Sequence, residues 1–552
     1  MSSIVFKRSR SDENEKHFER ENIFHKQLGA YDILTGDISS SKRFGVDGLG
    51  GIPLSYDDEH HKVYIDDADS HTLVIGSTGS KKSRLIAMPT VKILGDAQES
   101  MIIADPKAEI YKTLGVDLQK QGFEVFVINL RNPDYGNAWN PLAVPYRLYC
   151  EGNVDLAFEF ANDITVNLSG GNDYAKDPFW GQSAASFFFG LIMLMFKIGR
   201  DQKVNAKDVN IWNIIQLREL LCDDEHRHTA RKIKDYAKRD PFIYSLLRGT
   251  LETADVTRRG ILAHFDQDMR TFSIQPKLLS MLSYDDNIMD KLRKQPTAIF
   301  LDVPDEKTSF HKLVSLFIKQ SYEYFIFLAQ KKKSNEDLGI RINYILDEFS
   351  SLPTIKDFPA MITAARSRKI RFNLFVQSKH QLDLRYTEEA HTIRANCTNW
   401  IFLVSRELSL LQEISELCGT KYTSDRQKPV LSITDLQHLD KECGEALVLN
   451  GRKKPFIAKL PDIKEYNISP IECEFKKYRR KNSVLDFTKI LSFDPEVVED
   501  EDSMATIFAN VRQDSGKTTE KKTPQGQTRL DQAMKRAEKN LKKLDSSNKS
   551  KK

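Results

Sequence analysis

The chain has 552 residues, 40% of them hydrophobic and 29% charged, with a formal net charge of +4. That length supports two or three domains with a sizeable core, and the composition reads as a globular protein rather than a fibrous or disordered one. The charge is uneven: residues 503–552 carry 13 Lys/Arg against 5 Asp/Glu, a surplus of +8 that leaves the first 502 residues at −4 (4 − 8). A body of that sign is not a basic nucleic-acid coat, although a ring that threads a strand needs cations only along its channel.

Residues 1–60 are polar and then glycine-rich ("GVDGLGGIP", 45–53), and are expected to form an N-terminal arm. Their start, "MSSIVFKRSRSDENEKHFERE", lacks the apolar segment of a signal peptide, so export is not expected. Short apolar runs then alternate with longer segments of helical period. "HTLVIG" (71–76), "SMIIAD" (100–105) and "FEVFVINL" (123–130) read as buried strands, with helices over 82–94 and 107–121 between them. Strand–helix–strand units of this kind imply a parallel sheet. The alternation stops near 145, and about 150–290 is helical in pattern. The apolar stretch "AASFFFGLIMLMF" (184–196) covers 13 residues, short of the roughly 18 a membrane span requires, and reads as a buried helix. Alternation resumes with "TAIFLDVP" (297–304), a helix over about 308–332, "INYILDEF" (342–349), a helix over about 355–367, "IRFNLFVQS" (370–378) and "WIFLVS" (400–405).

The simplest account is one α/β domain, with a first part at 61–148 and a second at 293–475, interrupted by an all-α domain at 149–292. Past 475 come basic "KKYRRKN", acidic "DPEVVEDED" and a lysine-rich end, so 476–552 is expected to be a charged, mostly disordered tail. Within it, 529–544 has the apolar spacing of an amphipathic helix. The six cysteines form no C-x-x-C pair, which suits reduced thiols, and the cluster "CDDEHRH" (222–228) matches no metal-site spacing and reads as a solvated acidic segment.

The chemistry starts at "VIGSTGSKKSRL" (74–85), which nearly spells the phosphate-binding pattern G-x-x-x-x-G-K-[ST], with Lys81 where glycine is required. In such a loop Gly76, Thr78, Gly79, Ser80, Lys81, Lys82 and Ser83 would cradle the phosphates, Lys82 reaching them and the Ser83 hydroxyl binding Mg²⁺. The loop alone leaves both a nucleotide site and a coincidence open. "RINYILDEFSS" (341–351) adds an apolar strand that ends in two acids. Asp347 would hold the metal and Glu348 would polarise the attacking water. Gln377 closes the next strand, on the rim that parallel strands share with the loop.

Together "GSTGSKKS", "ADPKAEIY" (104–111), "WNPL" (139–142), "DPFW" (177–180), "ILDEFSSL" (345–352) and "FVQSKHQL" (375–382) resemble the conjugation coupling proteins, the VirD4/TraG-type ATPases of type IV secretion systems. The resemblance spans about residues 70–420. It implies a RecA-like motor domain with an inserted all-α domain, a homo-hexameric ring, and hydrolysis of ATP with Mg²⁺ to move single-stranded DNA and its relaxase from the relaxosome to the secretion channel. It assigns Glu348 and Gln377 to catalysis, Arg366 to an arginine finger offered to a neighbouring subunit, Asp347 and Ser83 to Mg²⁺, and Asp105 and Lys107 to support of the site. The helical insertion resembles the domain that receives cargo. Two departures qualify it: Lys81, and the lack in residues 1–70 of the membrane span that many coupling proteins carry. A cytoplasmic protein recruited to the membrane by a small membrane protein is the expectation. The other readings are an ATP-binding docking platform with little hydrolysis, and a double-stranded DNA translocase of the chromosome-segregation type.

Overall fold

The computed structural model describes residues 28–41, 48–169, 178–222, 226–304, 310–331, 338–423, 426–451, 453–481 and 483–491. The chain divides into two compact units, Met1–Arg239 with Ile243–Glu496, and Asp240–Phe242 with Val497–Lys552. The second lies almost wholly outside the described residues, as does the amphipathic pattern at 529–544, and the account below is of the first.

Two sheets build the α/β part. Strands β1 (Gly29–Asp32), β2 (Ile38–Ser39), β3 (Ile52–Asp57) and β4 (Lys62–Asp66) form an antiparallel sheet of order β2-β1-β4-β3. This sheet corrects the expectation of an arm over 1–60: Tyr31, Leu54, Val63 and Ile65 are buried, and the Tyr31 hydroxyl donates to Asp96 at 2.7 Å.

The large sheet holds nine strands: β5 (His71–Ile75), β6 (Ser100–Ala104), β7 (Glu124–Asn129), β8 (Thr297–Asp302), β9 (Ile342–Leu346), β10 (Ile370–Val376), β11 (Cys397–Phe402), β14 (Glu445–Asn450) and β15 (Phe456–Lys459). A separate hairpin of β12 (Thr420–Thr423) and β13 (Arg426–Pro429) precedes the last two. The order is β15-β14-β11-β5-β10-β9-β6-β8-β7, parallel from β11 to β7 and antiparallel at β14 and β15. Strands β5, β6 and β9 read as apolar or neutral runs, and β10 as one interrupted by Arg371, because every residue in them is buried, with helices covering both faces. In register, Val376 pairs with Ile75 and Leu374 with Leu346. The C-termini of β5, β9 and β10 therefore open on one rim, and the strand carrying Gln377 lies between the other two.

Residues between β7 and β8 form the inserted all-α domain around the helix Phe179–Asp201, where Phe187 and Phe188 meet Phe265 at ring distances of 6.0 and 5.6 Å. Among the described residues this is the helix long and apolar enough to cross a membrane, but 56% of that stretch is buried inside the protein, in keeping with a core helix. "WNPL" is a hinge of packing rather than chemistry. Trp139 donates to Gln320 at 3.3 Å and lies against Phe317, while the Asn140 amide donates to Val209 O at 2.8 Å in the insertion. Of "DPFW", Asp177 lies outside the described residues and Trp180 stacks on His264.

The described residues 476–481 and 483–490 correct the expectation of a tail from 476: they run across the motor domain onto the insertion as an extended strap ending in a short helix, Phe487–Ile490, and the rest of the expected tail lies outside the described residues. The Tyr478 N–H donates to Asp134 O at 2.7 Å, Arg480 to Gly136 O at 2.8 Å, and Asn213 to Ser483 O at 2.9 Å, with Phe487 buried. Buried backbone groups need such partners, and here side chains and loops supply them in place of a ladder.

Candidate nucleotide-binding site

Strand β5 ends at Ile75, the loop runs from Gly76 to Lys82, and the chain re-enters helix through a π-helical turn, Ser83–Ala87, that continues as α-helix Met88–Asp96. Two bonds pin the loop to the sheet: the Gly76 N–H donates to Val376 O at 3.2 Å and the Ser77 N–H to Val404 O at 2.8 Å. Gly76 is required by space, since a Cβ there would lie 2.5 Å from Ser80 Oγ. Gly79 is required by conformation, with φ of +78°. Lys81 has φ of +63°, the left-handed region that costs a residue with a Cβ about 1–2 kcal/mol. Glycine is the pattern's residue there for that reason. Its amine lies 2.5 Å from Glu442.

Lys82 is only 9% exposed. Its amine donates to Gly76 O at 2.6 Å and Ser77 O at 3.3 Å. Burial lowers its pKa, opposed by the charges of Asp347 and Glu348. The Ser83 hydroxyl donates to Asp347 Oδ2 at 2.9 Å, and the other Asp347 oxygen accepts the Glu348 N–H at 3.0 Å. Asp347 keeps an accessible edge on the cleft but is enclosed on its other sides, and this burial raises its pKa against the Ser83 bond and the Lys82 charge. Glu348 is itself left-handed, with φ of +56°. Gln377 bridges the rim: its amide donates to Glu348 Oε1 at 3.3 Å and its carbonyl accepts the Thr78 hydroxyl at 3.0 Å.

These side chains, with Asp105, Pro106, Lys107 and Glu109, line an open cleft of about 250 Å³. Asp105 is buried and accepts the Tyr111 N–H at 2.8 Å. Burial, with Asp302 and Asp347 nearby, pushes its carboxyl up to about 7.

Arg366 is elsewhere. It is exposed at the N-terminal end of β10, while Gln377 follows the strand's C-terminal end. Seven residues of strand separate the two ends by about 23 Å, and the Arg366 charge acts instead on His71 at the start of β5. Sequence reasoning also missed Glu442, which meets Lys81 from 361 positions away; no spacing signals such a contact.

A triphosphate with Mg²⁺ suits this donor set. Ser80 Oγ is buried on the cleft wall without a hydrogen-bond partner, and Lys82 supplies a cation to the phosphates. Ser83 and Asp347 offer the hard oxygen ligands that Mg²⁺ takes alongside substrate phosphates. Among the described residues no group of three His, Cys, Asp or Glu is placed to hold a metal.

No curated protein sequence matches the chain. Among solved structures it is similar to the bacterial conjugative coupling protein TrwBdeltaN70 in complex with sulphate, with a TM-score of 0.52 at 16% identity over 72% of this chain and 86% of that one. It is likewise similar to the plasmid coupling protein TrwB in complex with ADP and Mg²⁺, with a TM-score of 0.52 at 14% identity over 75% and 87% of the two chains. At these identities the likeness shows the fold, a RecA-like motor domain with an all-α domain. The family described as type IV secretory system conjugative DNA transfer matches residues 30–438, and the chain belongs to that family.

Proposed function

We propose that the protein is the coupling ATPase of a conjugative type IV secretion system, linking the relaxosome to the secretion channel and driving single-stranded DNA with its relaxase. The observation that carries this reading is the convergence of Lys82, Ser83–Asp347 and Thr78–Gln377–Glu348 on one cleft, in a chain of the conjugative DNA transfer family. TrwB, whose fold it shares, is described with ADP and Mg²⁺.

In this reading Lys82 exchanges its two carbonyl partners for phosphate oxygens. Mg²⁺, when bound, would neutralise phosphate charge, held by Ser83 and Asp347. Glu348 orients and deprotonates the attacking water, and Gln377 ties Glu348 to Thr78 so that the loop and the acid move together. Arg366 completes the site of a neighbouring subunit in a homo-hexamer, which links hydrolysis to assembly. Residues 61–148 and 293–475 make the motor and 149–292 the cargo-facing insertion. The protein works at the cytoplasmic face of the membrane, brought there by a small membrane protein.

The measurement is ATP turnover with and without single-stranded DNA, beside Lys82→Ala. DNA stimulation that Lys82→Ala abolishes is expected; equal rates in all samples would reject the motor. One observation favours a docking platform with slow hydrolysis instead: Lys81 holds a strained backbone and is tied to Glu442. Turnover at the Lys82→Ala level with ATP binding intact would select that reading.

A further inference from the structure

The ion pair of Lys81 joins the loop that follows β5 to the turn that leads into β14, two strands away in the same sheet. Glu442 sits on a built turn. Asp440 Oδ1 accepts the N–H groups of Glu442 at 2.9 Å and Cys443 at 3.1 Å, and the Asp440 N–H donates to Glu445 at 2.8 Å. Gly444, with φ of +72°, brings the turn so close to Leu460 that a Cβ would lie 2.2 Å from its carbonyl oxygen. The turn is therefore fixed in shape while the Glu442 carboxylate stands in solvent, and its bond to Lys81 holds it below the usual carboxylate range. It stays ionised at neutral pH and presents a full negative charge to the Lys81 amine.

Lys81 lines the same cleft as Lys82, Ser83, Asp347 and Gln377. An exposed carboxylate is a weak partner for an ammonium group, because water competes and salt screens the pair. A polyphosphate offers several charged oxygens and outcompetes a single carboxylate. We propose that Lys81 is a switchable phosphate ligand: Glu442 parks its amine at the cleft rim, and the phosphate chain of ATP draws it away, releasing the Asp440–Gly444 turn from the loop. The inference rests on the ATP site proposed above. It also accounts for a lysine where the pattern has glycine, since the cation does what a glycine cannot. The turn leads directly into β14, which pairs with β11 beside β5, so release frees the turn at the start of a strand one removed from the loop's own.

The test is titration of a fluorescent ATP analogue with Mg²⁺ into the full-length protein for wild type, Glu442→Gln, Lys81→Gly and the double variant, with Lys82→Ala as control. Glu442→Gln keeps the side chain's size and removes the competing charge. It is expected to tighten ATP binding about threefold at low ionic strength, an effect lost at high salt and absent when Lys81 is glycine. No gain, or an equal gain with and without Lys81, overturns the switch. If wild type binds ATP, Lys82→Ala does not and Glu442→Gln equals wild type, the switch alone falls. If wild type binds no ATP, the ATP site falls and the switch with it.

Discussion

Glu348→Gln separates binding from chemistry at this site. The substitution keeps the side chain's volume and removes one charge and one proton acceptor. Gln377 donates to Glu348 Oε1 at 3.3 Å, and an amide oxygen can still accept that bond, though without the charge that strengthens it. The left-handed backbone at 348 and its N–H bond to Asp347 are untouched by a side-chain change. Lys82, Ser83 and Asp347 keep their positions, so ATP affinity is expected to stay within about twofold while turnover falls about 10²–10⁴-fold, or about 3–5 kcal/mol of barrier. Asp347→Asn provides the contrast. It removes the charge from the group that accepts the Ser83 hydroxyl at 2.9 Å, and should weaken binding of Mg²⁺–ATP about tenfold or more as well as turnover. Steady-state phosphate release and fluorescence titration with labelled ATP read the two quantities. Turnover of Glu348→Gln within tenfold of wild type, or an affinity lost in parallel with Asp347→Asn, would refute the assignment of Glu348 to the water.

Two further predictions concern the scaffold. Arg371 is buried with its guanidinium on Glu99 at 2.6 Å, Asn343 at 2.6 Å and Gly50 O at 3.0 Å; Arg371→Met should cost about 3–5 kcal/mol, and Arg371→Met with Glu99→Met less than the two single changes together, because the double change leaves no stranded charge. Denaturant midpoints measure it, and strict additivity would contradict the reasoning. Burial raises the Asp201 carboxyl, but the Tyr236 hydroxyl at 2.7 Å and Lys197 at 3.0 Å outweigh it and hold it below its ordinary 3.8. The folded state therefore releases this proton more readily than the unfolded chain. The stability this gives is present above about pH 4 and lost as pH falls through the lowered pKa, so the gap in melting temperature between wild type and Asp201→Asn should close as pH falls through that lowered value. A constant gap would show that charge is not its source.

The parallel core was legible because its strands are buried on both faces and so read as mostly apolar runs, broken by few polar residues such as Arg371, with helices between. The edges were not. β1–β4 are short and each exposes part of one face, and β14–β15 add only ten residues on the far side of β11. One signal there went unused: Asn450-Gly451 is a turn dipeptide, and Gly451 has φ of +55°. The strap at 476–490 carries a composition that ordinarily stays solvated, and it is held by pairings such as Asn213–Ser483 that no local pattern announces. At the site, residues contributed by strand ends were readable, since register alone aligns them. The Glu442 contact depends on how a distant turn packs, and sequence spacing holds no trace of it.

Arg366 follows the same logic to a different conclusion. A guanidinium at the opposite end of β10 from Gln377, about 23 Å away, lies beyond two Debye lengths at physiological salt and cannot stabilise charge in its own chain's cleft. If it serves hydrolysis, it serves another subunit's site. Arg366→Ala and Lys82→Ala proteins should then each be inactive alone, one lacking the cation it offers and the other the one it uses. Mixed in equal amounts before assembly, they should recover activity at about a quarter of ring interfaces, those where an intact Lys82 cleft faces an intact Arg366. A defect confined to one chain cannot be rescued by a neighbour that carries the other defect. Mixtures that stay at background, or an Arg366→Ala protein that hydrolyses ATP normally, would remove Arg366 from the reaction while leaving the cleft of Lys82, Ser83, Asp347, Glu348 and Gln377 as it stands.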